Sequence, residues 1–169
     1  TSTRRLICHR DCVDSVVEAL LPAYGSVPVG HQLEAGTLMG PLINPLAVDA
    51  MRHALDAAVE EGCEVLCGGV EGIERLAGRD GNYVEPTIVR VPAGVHPPIT
   101  REETFAPILY VFTVDSLAEA VDLQNDSSHG LSSAIFTDSV RSAERFLSHL
   151  GSDCGIANVN IGTSGAEIG

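Results

Sequence analysis

The chain has 169 residues, 44% hydrophobic and 20% charged, the make-up of one globular domain long enough to bury a sizeable core. Its 10 Lys and Arg against 23 Asp and Glu leave a formal charge of −13, which argues against a nucleic-acid groove or an anionic membrane surface, since both recruit clustered positive charge. No apolar run approaches the ~18 residues of a membrane span, and the scattered Cys8, Cys12, Cys63, Cys67 and Cys154 lack the two-residue gap of zinc or redox motifs, reading instead as reduced thiols of a cytoplasmic protein.

In chain order, Arg5 to His9 reads as a short strand. Asp11 then caps a helix whose Val13, Val16, Val17, Leu20 and Leu21 recur at helical spacing, and Pro22 with Gly25 ends it. Residues 26–43 form a long loop. Asn44-Pro45 is a cap followed by a first-turn proline. The helix it opens runs to about Glu61, with Val48, Met51, Leu55, Ala58 and Val59 facing inward and Gly62 as the stop. Cys63 to Cys67 is a short buried strand, and residues 70–82 are an exposed polar connection. Tyr83 to Val91 reads as a strand interrupted by Pro86, which favours an edge or a bulge. After an apolar strand from Ile108, Ser116-x-x-Glu119 is a capping box opening a helix to about Asn125. A strand over residues 131–137, a helix over 140–150 and a strand over 155–159 complete the pattern. Strands and helices alternate, and the strands are continuously apolar, so the fold class is α/β, a largely parallel sheet flanked by helices.

No Gly-x-Gly-x-x-Gly, phosphate loop or Gly-x-Ser-x-Gly elbow is present, and the six His show no metal-ligand pairing. The stretch with most chemical character is the loop Arg101-Glu102-Glu103-Thr104-Phe105-Ala106-Pro107. A carboxylate accepts from hydroxyls and an aromatic ring covers a flat face, so Glu beside Phe suits a ligand carrying both. The alternative is a solvated carboxylate edge with Phe105 plugging the core. Further irregular loops, at residues 39–43, 81–87, 125–131 and 151–169, lie at strand ends, and open α/β sheets bind ligands outside the carboxyl ends of their strands.

Five segments occur in a telling order: Gly40-Pro41-Leu42, Gly81-Asn82-Tyr83-Val84-Glu85-Pro86-Thr87, Glu102-Glu103-Thr104-Phe105-Ala106-Pro107, Gly130-Leu131 with Phe136-Thr137, and Gly155-Ile156-Ala157-Asn158. Together they resemble the catalytic domain of NAD(P)-dependent aldehyde dehydrogenases. The ending, Asp153-Cys154-Gly155-Ile156-Ala157-Asn158-Val159-Asn160-Ile161 and then Thr163-Ser164-Gly165-Ala166-Glu167, resembles the antiquitin branch, the α-aminoadipic semialdehyde (piperideine-6-carboxylate) dehydrogenases.

The resemblance implies that residues 1–169 are a partial catalytic domain, with the NAD-binding domain and the nucleophile segment lying upstream. Thr1-Ser2-Thr3-Arg4 matches the residues after the family's nucleophilic cysteine, which is expected just before Thr1, and no catalytic residue is expected within this chain. Glu103 would accept from the nicotinamide ribose of NAD, and Phe105 would pack beside the nicotinamide. Ser164, Gly165 and Ala166 would anchor a small-molecule aldehyde, and Asn158 would hold the active-site loops by hydrogen bonds. A homo-oligomer, dimer or tetramer, is implied as well. His129 stands where Tyr or Gln is commoner, Ala106 where Gly is commoner, and Gly162 where Pro is usual. The expected activity is oxidation of 2-aminoadipate 6-semialdehyde to the acid through a cysteine thioester. Its rivals are another semialdehyde and a non-catalytic assembly module.

Overall fold

Four strands form the main sheet of the computed structural model, which describes residues 2–163. They are β1 (Arg5–His9), β2 (Glu64–Cys67), β3 (Thr87–Arg90) and β4 (Ile108–Val114), in the order β1-β4-β3-β2. β4 runs parallel to both β1 and β3, and β2 is an antiparallel edge. β5 (Ser132–Ile135) and β6 (Ile156–Val159) pair in parallel as a separate two-stranded sheet.

The apolar strands follow from burial on both faces. Side chains alternate across a strand, so Leu109 and Val111 of β4 pack with Ile88 and with Val13 and Val17 of α1 (Val13–Gly25). Ile108, Tyr110 and Phe112 face the other way, against Val89 and against Met51, Ala54, Leu55 and Ala58 of α2 (Pro45–Glu60). α3 (Gly69–Glu74) and α4 (Leu117–Asn125) add Ile73 and Leu123 to that second layer. α5 (Val140–Leu147) lies against β6, and Pro98–Arg101 is a single 3-10 turn.

The α/β class and the mainly parallel sheet are as expected, and several details differ. Cys12, not Asp11, occupies the cap of α1 and makes no side-chain cap bond, its thiol donating back to His9 O at 3.3 Å, while the Asp11 carboxylate lies 3.3 Å from the His9 ring. Pro22 lies inside α1 rather than ending it. Its missing N–H removes one bond of the ladder, and Ser26 closes the helix by donating to Pro22 O at 3.1 Å. Val59 is 53% exposed, because the buried stripe of α2 ends on Ala58, one residue around the helix. β2 is only partly buried, as an edge strand should be.

Pro86 precedes β3 instead of interrupting it, so β3 sits inside the sheet and its ladder begins with Thr87 N–H donating to Pro107 O at 2.8 Å. The segment expected to be an exposed connection contains α3, with Gly69, Gly72 and Ile73 buried. Gly68 permits that turn: its φ is +73°, and a Cβ there would lie 2.5 Å from Pro86 O.

Candidate active-site groove

A groove of about 440 Å³ opens between residues 2–4, residues 105–108, and the side chains of Tyr24, Met39 and Leu42. Residues 2–4 lead directly into β1, and 105–107 lead into β4. The groove therefore lies at the amino ends of these parallel strands, not at the carboxyl ends that the general rule for open sheets favours. The loops with chemical character precede the strands here, which is why the rule pointed the wrong way.

Long-range hydrogen bonds draw the segments together. Thr3 Oγ1 lies 2.8 Å from Thr163 Oγ1, joining residues 160 apart in sequence. Ser132 Oγ donates to Thr163 O at 3.1 Å. The Arg4 guanidinium donates to Ala106 O, and Arg4 O accepts from Tyr110 N–H at 2.9 Å. The 39–43 loop joins through Leu42 N–H to Asn82 O, 2.9 Å.

Phe105 is 72% exposed at the groove, so it is no core plug. Ala106 beside it is buried and supplies the packing instead. The Glu103 carboxylate, 41% exposed, has His129 Nε2 3.8 Å from Oε2. Arg101 and Asp126 form a 2.7 Å ion pair between the same two loops. An uncovered ring next to a partly open carboxylate fits a ligand with a flat ring and adjacent hydroxyls, so the residues present suit a nicotinamide riboside.

Asn158 donates from Nδ2 to Gly162 O at 2.9 Å, drawing β6 and the turn after it together. Ser164, Gly165 and Ala166 lie outside the described residues; Thr163, the last one described, is held at Thr3. All five cysteines are free thiols, and none lines the groove. Burial pushes the Cys8 thiol up to about 11, with neighbouring Cys12 adding to the shift. Burial likewise raises the Tyr110 phenol, whose hydroxyl finds no partner among the described residues.

Sequence reasoning passed over three residues that shape this region. Thr3 is the strap just described. Asn160 adopts a left-handed φ of 58° and clasps Thr137 with both ends of its amide, at 2.9 and 3.1 Å. Asn is the residue most tolerant of that conformation after Gly, a signal that was available. Arg5 donates to Leu123 O and Gln124 O at 3.0 and 2.9 Å, satisfying carbonyls at the end of α4. Burial lowers its pKa despite nearby Asp126. A second hollow, of about 350 Å³ beside Leu55 and Val59, carries only the Asp56 and Glu60 carboxylates and no aromatic ring.

The model of the aldehyde dehydrogenase family matches residues 1–168. This chain belongs to the aldehyde dehydrogenase family. It is 45% identical over 170 residues to the α-aminoadipic semialdehyde dehydrogenase of Rattus norvegicus, covering 100% of this chain and 30% of that one. It is 44% identical over 171 residues to aldehyde dehydrogenase family 7 member B4 of Arabidopsis thaliana, covering 100% of this chain and 32% of that protein. The chain thus spans about a third of the length of the curated relatives it matches, and the likeness to the antiquitin branch holds along its whole length. Among solved structures, PnpE in complex with nicotinamide adenine dinucleotide superposes with a TM-score of 0.84 at 30% identity, over 96% of this chain and 32% of that one. Aldehyde dehydrogenase 21 of Physcomitrella patens, in complex with succinate, gives 0.82 at 27% identity, over 96% of this chain and 32% of that one.

Proposed function

We propose that residues 1–169 are part of the catalytic domain of an enzyme that oxidises 2-aminoadipate 6-semialdehyde to the corresponding acid with NAD. The observation that carries this reading is the convergence at one groove. The start of the chain and Phe105–Pro107 line it together, the Arg4–Ala106 contact joins them, and the Thr3–Thr163 contact brings the turn after β6 alongside; Glu103 stands two residues before Phe105 in the same loop. An aldehyde dehydrogenase has to bring its cysteine, its coenzyme and its substrate into one place, which is a proximity requirement.

NAD, when bound, would accept the hydride from the aldehyde carbon held as a cysteine thiohemiacetal, and the thioester left behind would be hydrolysed by water to release the acid. Glu103 would accept from the ribose hydroxyls, and Phe105 would pack beside the nicotinamide. Asn158 fixes the turn through Gly162, and Ser164, Gly165 and Ala166 grip the amino-acid end of the substrate. The reacting cysteine lies outside these residues, immediately before Thr1, so residues 1–169 expressed alone turn over no aldehyde. The whole protein works in the cytoplasm as a dimer or tetramer. Exposed Leu131, Phe136 and Val140 beside the second sheet support the association.

A second reading, a dicarboxylic semialdehyde as substrate, draws on the likeness to the succinate-bound aldehyde dehydrogenase 21. Turnover of the whole protein on 2-aminoadipate 6-semialdehyde and on succinate semialdehyde separates the two. A clear preference for the former, abolished by replacing the cysteine before Thr1, is the expected result. A preference for succinate semialdehyde overturns the substrate assignment.

A further inference from the structure

The geometry points to His129 as a positioning residue for Glu103, holding one carboxylate oxygen so that the other is left for the coenzyme's ribose. This rests on reading Glu103 as the ribose acceptor.

Three observations carry it. First, His129 is the one basic side chain in ion-pair contact with Glu103 among the described residues, Nε2 standing 3.8 Å from Oε2. That separation exceeds a hydrogen bond of about 3 Å, so the contact is electrostatic. Second, the other ring nitrogen is occupied. Ser128 Oγ lies 3.1 Å from Nδ1; a hydroxyl donating there places the proton on Nε2 and directs an N–H at Glu103. Third, the two loops are strapped independently. Arg101 pairs with Asp126 at 2.7 Å, Arg5 donates to Leu123 O at 3.0 Å, and His129 N–H donates to Ser127 Oγ at 3.3 Å. The ring is therefore presented to Glu103 by a backbone that does not depend on the pair itself.

The pair adds little to folding, because its side chains are 48% and 41% exposed and water screens them. Its consequence falls on a ligand instead. A carboxylate restrained at Oε2 presents Oε1 in a narrower range of orientations, and less ordering remains to be done on binding. Screening also limits the size of the effect to roughly two- to five-fold in affinity.

The test uses the whole protein, with the dissociation constant of NAD measured by calorimetry and the melting temperature measured without ligand. H129A is expected to weaken NAD roughly two- to five-fold while leaving the melting temperature in place. H129Q, which keeps an N–H donor, is expected to recover most of the loss. In an E103Q background, H129A should have no further effect. The inference is overturned if E103Q weakens NAD and H129A does not, if the two effects simply add, or if H129A lowers only the melting temperature. Should E103Q itself leave the dissociation constant unchanged, the ribose reading of Glu103 fails, and the role of His129 with it.

Discussion

The interior of the main sheet and the rim of the groove are built on opposite terms. Ile88, Val89 and Val111 are wholly buried, and each strand face has its own helix. At the rim, Phe105 is exposed and Glu103 is half-open, held by a screened pair and by loops strapped over long sequence distances. Side chains inside the sheet are fixed by packing and contribute to stability. Those at the rim are left uncovered and contribute little to it, and in the proposed function their contribution falls on ligand binding.

The widest gap between the two regions is expected from a pair of truncations. Leu55→Ala empties the α2 side of the core and should destabilise the fold by about 2–5 kcal/mol in denaturant unfolding. Phe105→Ala should leave unfolding within about 0.5 kcal/mol of the parent, yet weaken NAD binding by the whole protein roughly tenfold, the size of a lost aromatic contact. A matching stability loss for both would erase the distinction.

A smaller effect probes the polar side of the interior. Thr87 is fully buried, and its Oγ1 accepts from Gly69 N–H at 2.9 Å. Thr87→Val keeps the shape and strands that N–H, at a cost of about 1–3 kcal/mol by the same unfolding measurement. Thr87→Ser keeps the hydroxyl and should cost less; equal losses would mean that the methyl group matters more than the hydrogen bond.

The smallest effect is electrostatic and lies on the surface. The Arg75 guanidinium hydrogen-bonds Glu85, Nε to Oε1 at 3.0 Å, and holds the carboxyl below its ordinary value of 4.5. A folded-state pKa that is lowered gives stability present above the unfolded value and lost as pH falls through the folded one. Melting temperatures taken downward from about pH 5 should therefore decline less in Glu85→Gln than in the parent, by a small margin because the pair is solvent-screened. Parallel curves for parent and variant would remove any role for this pair in acid stability.

Much of the interior was legible because its signals are local. Asn44 caps α2 by accepting from Ala47 N–H at 2.9 Å, as Asn-Pro suggests. Ser116 accepts from Glu119 N–H at 3.2 Å, with Glu119 reaching back to Asp115 N–H at 2.8 Å, one residue before the cap. What escaped depends on distant parts of the chain. Pro86 reads as a strand breaker until the partner carbonyl of Pro107 shows where the ladder starts. The helix α3 is short and glycine-containing, and tertiary contact with the core rather than propensity makes it form. The acidic-aromatic loop was visible as chemistry in the sequence, but its location was not. The amino-end position of the groove and the Thr3–Thr163 strap arise only when both ends of the chain meet.

The central claim is that Glu103 and Phe105 form one wall of a coenzyme site shared with the start of the chain. A crystal structure of the whole protein with NAD tests it most directly. The account predicts a nicotinamide ribose hydroxyl within hydrogen-bond distance of a Glu103 oxygen, with the ring beside Phe105 and facing the residue before Thr1. A nicotinamide seated elsewhere, with Glu103 and Phe105 still open to solvent, would contradict it.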